Sequence, residues 1–224
     1  AGVRRFVLIS TDKALNPNSV YGQSKTLCEW IVAAHGGSDV QTRFVAVRFG
    51  NVLNSTGSVI PTFKRQIERG GPVTVTDPEM TRFFMTIPEA ATLVIQAGAI
   101  GGRGQIFVLD MGEPIRILDL ARNMISLSGR DPDRDVEIRF IGARPGEKVH
   151  EELFAEGETW KPTSHAKILA LDVDPIDPAW LDEELNALDR LVEEGDTLEL
   201  VAKLAAIVRE QRRVGEAVRR EPIV

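Results

Sequence analysis

The chain has 224 residues, of which 43% are hydrophobic and 27% are charged, a composition typical of globular proteins. Its 27 basic and 33 acidic residues give a net charge of −6, which argues against a nucleic-acid partner but leaves room for a local basic site. No apolar run reaches the roughly 20 residues that a membrane span needs. The single cysteine, Cys28, excludes an intramolecular disulfide framework and indicates a reducing compartment.

The first elements alternate strand, helix and strand. Arg5–Ser10 is a short apolar run that predicts a buried parallel strand. The turn residues Asn16 to Asn18 follow, and an apolar stripe predicts a helix over Ser19–Ala34. Arg43–Arg48 is a second strand. This order is the unit of a parallel sheet covered by a helix.

The same alternation continues along the chain and predicts an α/β fold. Further helices are predicted at Ile60–Arg69, Pro88–Ala97 and Leu118–Leu127, with strands at Val73–Thr76, Gln105–Asp110 and Val136–Ile141. Beyond Lys148 the chain becomes acidic, and two amphipathic helices are predicted at Pro178–Glu194 and Thr197–Arg213.

The glycines are not where an α/β dinucleotide-binding domain needs them. Such a domain has a glycine-rich turn between its first strand and first helix. Here the glycine cluster Gly98–Gly104 follows a helix and precedes a strand, so we predict a helix-to-strand turn. We therefore expect the pyrophosphate-binding half of the domain to lie upstream of Ala1.

The stretch ISTDKALNPNSVYGQSK contains the only tyrosine of the chain, Tyr21, four residues before Lys25. On a helix the two side chains share a face. A free phenol loses its proton only near pH 10, but a neighbouring ammonium favours the phenolate. The pair is therefore suited to taking a proton, and the lysine could also hold a ribose hydroxyl. A polar helix surface is the alternative.

Three further polar residues, Thr11, Asp12 and Lys13, directly follow the first strand. Open α/β sheets bind ligands at the carboxyl ends of their strands. A hydroxyl, an acid and a base at that place can polarise an oxygen, donate a proton and abstract one. On spacing and composition alone, a solvated turn explains these residues equally well.

The long motifs of the chain resemble those of one enzyme family. They read STDKALNPNSVYGQSK, VAVRFGNVLNSTGSVIPTFKRQIERGGPVTVT, MTRFFMTIPEAATLVIQAG, GQIFVLDMGEPIRILDLAR and RPGEKVHEEL, and they extend from about Val3 to Phe154. This chain resembles the extended short-chain dehydrogenase/reductases that act on nucleotide sugars. Within them it is most similar to the UDP-N-acetylglucosamine 4,6-dehydratases of bacterial polysaccharide and glycan biosynthesis. Many membrane-anchored members carry methionine at the tyrosine position, whereas this chain keeps Tyr21.

The resemblance implies an architecture. Residues 1–55 would be the second half of a Rossmann-like NAD(P)-binding domain with the active-site segment. Residues 56–154 would form a nucleotide-sugar region, interleaved with the Rossmann helix 88–97. Residues 155–224 would be a C-terminal helical extension.

The resemblance also implies a mechanism, the elimination of water from a nucleotide sugar. Thr11 would bind the 4-hydroxyl and Tyr21 would take its proton while hydride passes to NAD or NADP. Lys13 would then take the proton of carbon 5, and Asp12 would protonate the leaving 6-hydroxyl. Hydride would return at carbon 6. Tyr21 and Lys25 would contact the cofactor.

Other positions match family residues that bind cofactor or substrate. Gly50 would lie beside the nicotinamide. The resemblance implies that Arg82 and Arg144 bind the nucleotide diphosphate. Without the surrounding motifs, each arginine would be expected to form only a surface salt bridge. The remaining candidate substrate ligands are Asn51, Glu147 for a ribose hydroxyl, and Lys64.

Two other functions stay open. One is a nucleotide-sugar epimerase or reductase of the same superfamily, although the triplet Thr11–Lys13 argues against it. The other is a non-catalytic nucleotide-sugar-binding fragment, and we expect the isolated chain to be inactive and to bind dinucleotide poorly.

The expected protein is a cytoplasmic homo-oligomer without a metal site, and its parent could be tethered to the membrane. The sequence does not choose between NAD and NADP.

Overall fold

The computed structural model describes residues 2–36, 41–55, 57–155 and 158–220, with side chains described as far as residue 213. Within them the helices are α1 Val20–Gly36, α2 Val59–Glu68, α3 Ile87–Ile100, α4 Ile117–Leu127, α5 Pro178–Glu194 and α6 Thr197–Arg220. The longer strands are β1 Arg5–Ile9, β2 Arg43–Arg48, β4 Val73–Val75, β7 Gln105–Leu109, β9 Ile138–Phe140, β10 Thr159–Pro162 and β11 Ile168–Asp172. The two-residue strands are β3 Asn51–Val52, β5 Thr81–Arg82, β6 Phe84–Met85 and β8 Ile115–Arg116.

The chain divides into two units. The first comprises Ala1–Phe49, Val94–Asp110 and Leu153–Val224, and the second comprises Gly50–Leu93 and Met111–Glu152. Helix α3 therefore contributes residues to both units. Among the described helices, none has the length and apolar character needed to cross a membrane.

The first unit is built on a five-stranded sheet with the order β1-β2-β7-β11-β10. Strands β1, β2 and β7 are parallel, with Val7 opposite Val45 and Val47 opposite Phe107. Strands β11 and β10 continue the sheet in antiparallel fashion. The α/β fold with a mainly parallel sheet is therefore confirmed.

Helix α1 packs on both of its sides. One side contributes Val32 to a core with the strand residues Ala46, Ile106 and Val108. The other side contributes Leu27 to a core with buried leucines and an isoleucine of α5 and α6, namely Leu181, Leu188, Leu204 and Ile207. Burial of apolar surface stabilises a fold by about 25 cal/mol per Å². Because α1 is buried on two sides, the polar residues that it carries are held on a fixed helix.

The second unit has its own core. Its buried residues are Phe63, Ile67, Val73, Val75, Met80, Ile117, Ala121, Ile125 and Val136. Helices α2 and α4 supply one layer of this core. Strand β4 packs against both helices. The unit contains three separate two-stranded ladders, which are β3 with β6, β4 with β9, and β5 with β8.

One structural prediction is wrong. Residues 155–224 were expected to be helical, but β10 and β11 lie in this region and extend the sheet. All four residues of β10 are exposed, so the strand has no apolar periodicity that the sequence could reveal. The four two-residue strands were also not predicted, since such short pairings carry no pattern. The division of the chain by function stays a prediction.

Other predicted elements agree with the structure to within a few residues. The bounds of β2 and α5 match, while α6 extends to Arg220 instead of ending at Arg213. The glycine cluster Gly98–Gly104 is a helix-to-strand turn, as predicted, because it joins the end of α3 to β7. Gly104 has a φ of 70° there, and its amide donates to the carbonyl of Phe44.

Candidate active site

The residues Thr11, Asp12 and Lys13 lie at the carboxyl end of β1. Beyond the strand the chain still follows β2, because the amide of Ser10 donates to Val47 and that of Asp12 donates to Phe49. A single 3-10 turn, Asp12–Ala14, comes next. The hydroxyl of Thr11 accepts from the amide of Lys13 and starts this turn. The triplet is thus held by backbone hydrogen bonds at the edge where parallel sheets bind ligands.

The Asp12 carboxyl group is fully buried and asymmetrically bonded. Its Oδ1 atom accepts two hydrogen bonds of 2.9 Å, one from Thr11 Oγ1 and one from Lys13 Nζ. Its Oδ2 atom is buried and has no hydrogen-bond partner among the described residues. An unbonded buried oxygen is costly unless it carries a proton or meets a ligand. Oδ2 is therefore the atom of this group whose hydrogen-bonding capacity the described residues leave unused.

Helix α1 approaches the turn closely through two residues. A Cβ atom at Gly22 would lie 2.3 Å from the carbonyl oxygen of Lys13, so only glycine fits there. One turn further along, Thr26 Oγ1 donates to the carbonyl of Ala14 over 2.6 Å. The sequence analysis overlooked both residues. Their signal is the spacing of small or hydroxyl residues along one helix face.

Tyr21 and Lys25 lie in the first turns of the same helix. The Tyr21 side chain is exposed, and its hydroxyl has no hydrogen-bond partner among the described residues. Lys25 Nζ donates to the carbonyl of Ile9 over 3.0 Å, which places its ammonium at the end of β1. The Lys25 ammonium therefore lies at the sheet edge, while Tyr21 presents an exposed phenol one helical turn before it on α1. No glycine lies between β1 and α1 to hold the pyrophosphate.

A buried charge network lies beside the triplet, and the sequence analysis did not identify it. Glu29 on α1 accepts from Ser10 Oγ at 2.5 Å and from Arg48 Nη2 at 2.8 Å. Arg48 also donates to Glu158, at 3.2 Å. Burial alone would lower the pKa of the Arg48 guanidinium, but charge attraction and hydrogen bonds from Glu29, then from Glu158, outweigh it and raise that pKa. Its sequence signal is an arginine that ends the mainly apolar second strand.

In the second unit, Arg82 is buried and faces backbone. Its guanidinium donates to the carbonyl groups of Thr81, Lys148 and Val149 over 2.7 to 3.0 Å. Glu147 lies 3.5 Å from it. Arg82 therefore holds the segment that follows the RPGEK motif.

Arg144 and Glu147 share an exposed turn in the same unit. The Arg144 amide donates to Glu147 Oε2 over 3.2 Å, and the Glu147 amide donates to the Arg144 carbonyl over 2.9 Å. These bonds use the Arg144 backbone and leave its side chain exposed. The structure thus brings Arg82, Glu147 and Arg144 into one neighbourhood.

The remaining predicted ligands are more dispersed within that unit. Asn51 begins β3, and its amide donates to the carbonyl of Phe83. Gly50 directly precedes it. Lys64 lies on the exposed side of α2, and no contact joins it to Arg82 or Arg144 within the described residues.

A surface cavity of about 390 Å³ in the first unit is lined by residues before β7 and after β11, including Gly102, Arg103 and Asp174. It opens at the amino end of β7, whereas the triplet follows the carboxyl end of β1. None of the predicted site residues lines it.

Comparison with known proteins decides the family. Residues 1–173 match the family model described as polysaccharide biosynthesis protein. The chain belongs to this family. It is 56% identical over 172 residues to the capsular polysaccharide biosynthesis protein CapD of Staphylococcus aureus, covering 77% of this chain and 28% of CapD. It is 61% identical over 158 residues to the probable polysaccharide biosynthesis protein EpsC of Bacillus subtilis, covering 70% of this chain and 26% of EpsC. The chain therefore spans about a quarter of the length of these relatives.

Other members and neighbours of the family differ in activity. A UDP-glucose 4-epimerase of Rickettsia rickettsii is 40% identical over 162 residues, covering 71% of this chain and 46% of the epimerase. The X-ray structure of Pen from Bacillus thuringiensis matches with a TM-score of 0.67 and 34% identity, covering 78% of this chain and 54% of Pen. DesIV, a dTDP-glucose 4,6-dehydratase from Streptomyces venezuelae, matches with a TM-score of 0.61 and 20% identity, covering 68% and 52% of the two chains. That last similarity establishes the fold alone.

Proposed function

We propose that this chain carries the proton-transfer residues of a nucleotide-sugar 4,6-dehydratase that acts on UDP-N-acetylglucosamine in bacterial polysaccharide biosynthesis. The observation that supports it best is the asymmetric Asp12 carboxyl group. Its Oδ1 atom is bonded to Thr11 and Lys13, while the buried Oδ2 atom has no partner among the described residues. An acid and a base side by side are what elimination of water requires.

The geometry of this pair suits both of its protonation states. Thr11 and Lys13 can each donate a hydrogen to Oδ1 whether or not Oδ2 carries a proton. In the neutral state, the Oδ2–H group donates to the 6-hydroxyl and the Lys13 amine takes the proton of carbon 5. After the elimination, the carboxylate and the ammonium form the ion pair seen at 2.9 Å. The same contact thus stabilises the state that the reaction produces.

The protons balance over the whole reaction. Tyr21 takes the proton of the 4-hydroxyl, and Asp12 gives one to the 6-hydroxyl, which leaves as water. Lys13 takes the proton of carbon 5 and returns it to carbon 5. Exchange with solvent then moves one proton from Tyr21 to Asp12. The hydride that leaves carbon 4 and re-enters at carbon 6 is the chemistry that bound NAD or NADP supplies.

Three residues would hold that cofactor. Lys25 presents an ammonium near the end of β1, and Tyr21 presents an exposed phenol one helical turn before it, a combination that suits the nicotinamide ribose. Gly50 is proposed to lie beside the nicotinamide. The residues of this chain account only for that end of the cofactor, because the loop between β1 and α1 contains no glycine.

The substrate phosphates are assigned to arginines, which bind phosphate through a bidentate fork. Arg144 is proposed as the direct ligand because its side chain is exposed. Arg82 is proposed to act indirectly, by holding the neighbouring segment in place, since its N–H groups already donate to backbone carbonyls. Glu147 is proposed for a ribose hydroxyl. Asn51 and Lys64 complete the proposed set.

The test is substitution of the acid and the base, Asp12→Asn with Lys13→Ala, in the full-length natural protein. We expect water elimination to fall by about a hundredfold or more, since acid–base catalysis contributes about 10² to 10⁴. Oxidation at carbon 4, followed by the absorbance of the reduced cofactor, should survive. Mass spectrometry of the sugar product measures the elimination. Lys161→Ala, on the exposed strand β10, is the control.

Water elimination that persists in the double variant would overturn the proposal.

A second candidate, epimerisation at carbon 4, is favoured by the 40% identity to a UDP-glucose 4-epimerase. Epimerisation does not use the Asp12–Lys13 pair. A product of unchanged mass and inverted carbon 4 would identify it. A homo-oligomeric state and a cytoplasmic location stay predictions.

A further inference from the structure

The buried side chains beside the triplet form a closed network. Ser10, Glu29 and Arg48 are each no more than 4% exposed. Glu29 Oε1 accepts from Ser10 Oγ at 2.5 Å and from Arg48 Nε at 3.2 Å, while Oε2 accepts from Arg48 Nη2 at 2.8 Å. Both carboxylate oxygens are therefore bonded, and the guanidinium binds the carboxylate in a bidentate manner.

The other end of Arg48 is bonded as well. Its Nη1 atom donates to Glu158 Oε2 at 3.2 Å, and Glu158 also accepts from the amide of Ala155 at 2.9 Å. One guanidinium thus joins helix α1 to the chain that precedes β10. Its position does not depend on Glu29 alone, so the carboxylate of Glu29 is itself held in place.

The network ends directly at the proposed catalytic turn. Ser10 is the residue before Thr11, and its amide donates to the carbonyl of Val47, next to Arg48. The next backbone hydrogen bond, in which the Asp12 amide donates to the Phe49 carbonyl, fixes the start of the 3-10 turn. Glu29 therefore connects side chains at the ends of two neighbouring strands. Ser10 directly precedes the triplet, and Arg48 directly precedes Phe49, whose carbonyl accepts from the Asp12 amide.

We propose that Glu29 and Arg48 are positioning residues for water elimination, acting through the Ser10 hydroxyl to fix the orientation of Asp12. This inference rests on the proposed function. Neither residue need touch the substrate, since the path from Glu29 runs through Ser10 and the backbone to Asp12. The orientation matters because Oδ2 has to meet one particular hydroxyl of the sugar. Misplacement of a reacting group by about 1 Å can cost about a hundredfold in rate.

The experiment separates positioning from stability with Ser10→Ala in the full-length natural protein. This change removes the link to the turn but leaves the Glu29–Arg48 pair intact, whereas Ser10→Thr keeps a hydroxyl. We expect Ser10→Ala and Glu29→Gln each to lower kcat for elimination by about tenfold to a hundredfold, with KM for the nucleotide sugar changed less than about threefold. Ser10→Thr should recover most of the rate.

A double-mutant cycle gives the deciding readout. If Ser10 acts through Asp12, Ser10→Ala should have little further effect in the Asp12→Asn background. A loss of equal size in both backgrounds, an unchanged kcat in Ser10→Ala, or a parallel rise in KM would each overturn the inference. If the natural protein eliminates no water at all, the proposed function fails and the positioning role fails with it. If it eliminates water and Ser10→Ala leaves kcat unchanged, only the positioning role fails.

Discussion

The two turns that carry the candidate site residues are supported in different ways. The turn Asp12–Ala14 lies against helix α1, and the buried ion pair of Glu29 and Arg48 lies beside it. The exposed turn of Arg144 and Glu147 is followed by a segment whose carbonyl groups bind the buried Arg82. Among the described residues, each unit contains one buried arginine. Arg48 is hydrogen-bonded to carboxylates at 2.8 and 3.2 Å, whereas the hydrogen bonds of Arg82 go to backbone carbonyls and its acidic neighbours Glu147 and Glu151 lie further away, at 3.5 and 3.9 Å.

The difference follows from what each turn is proposed to do. Proton transfer needs atoms held within a fraction of an ångström, and buried side chains on rigid elements provide that. Phosphate binding needs a cationic side chain whose N–H groups are not already bonded. An exposed side chain on a turn that is itself held by buried residues meets this need. Each arginine would then support the turn of its own unit, Arg48 through charge and Arg82 through the backbone.

The largest expected effect is that of Arg48→Met. The change would leave Glu29 and Glu158 buried or half-buried without their cation, and breaking a buried ion pair in this way costs about 3–5 kcal/mol of the free energy of unfolding. Urea denaturation followed by circular dichroism measures it. Arg139→Met, which breaks an exposed pair with Glu137, should cost less than about 1 kcal/mol. Equal costs for the two variants would contradict the assignment of Arg48 as a buried anchor.

Arg82→Met should have a smaller and more local effect. It removes hydrogen bonds to three backbone carbonyls, and we expect a loss of about 2–3 kcal/mol, since each unsatisfied buried acceptor costs about 1–3 kcal/mol and part of this segment can reach water. The Thr81 amide, which donates to Val149, should exchange its hydrogen faster. Arg144→Ala, on the exposed turn, should leave both quantities nearly unchanged. Faster exchange throughout the unit with no local maximum would speak against a holding role for Arg82.

Gly22→Ala tests the close approach of α1 to the turn Asp12–Ala14. Within a helix, alanine is normally about 1 kcal/mol better than glycine. Here the new Cβ atom would meet the Lys13 carbonyl at 2.3 Å, so we expect a net loss of about 1–3 kcal/mol. Gly98→Ala in α3 is the comparison variant, because its Cβ atom would meet a side-chain methyl group of Val7 at 2.7 Å instead of a backbone carbonyl at 2.3 Å, and we expect it to cost less than Gly22→Ala. A more stable Gly22→Ala variant would show that the turn is not packed as described.

The smallest expected effect belongs to an exposed pair on the edge of the sheet. A hydrogen bond from Lys161 lowers the pKa of Asp172, against a small effect of burial. A lowered folded-state pKa adds stability above the unfolded value near 4, and this stability disappears as the pH falls through the folded value. The free energy of unfolding of Asp172→Asn should therefore be slightly below that of the natural sequence at pH 7 and converge with it in acid. A difference that grows on acidification would contradict the sign.

The local patterns identified most elements of the fold and failed where no pattern existed. The apolar run of β2 and the proline-started helix α5 were predicted with matching bounds. Strand β10 was not predicted, because its four residues are exposed and its pairing partner lies further along the chain. Pairing between distant segments is a property of the tertiary structure, and a short polar strand does not carry it.

The same division applies to the candidate site. Its residues could be identified because Thr11–Lys13 and Tyr21–Lys25 are local clusters with chemistry of their own. The proposed role of Glu29 could not be predicted, since a glutamate on a helix normally faces water, and only the fold brings Ser10 and Arg48 to it. The sequence by itself determined the α/β class and the order of the main elements, and it indicated the candidate reactive groups, because helix and strand periodicity and short motifs are local. Only the tertiary structure decided which charges are buried together and which oxygen of Asp12 stays unbonded, because those contacts join residues far apart in the chain.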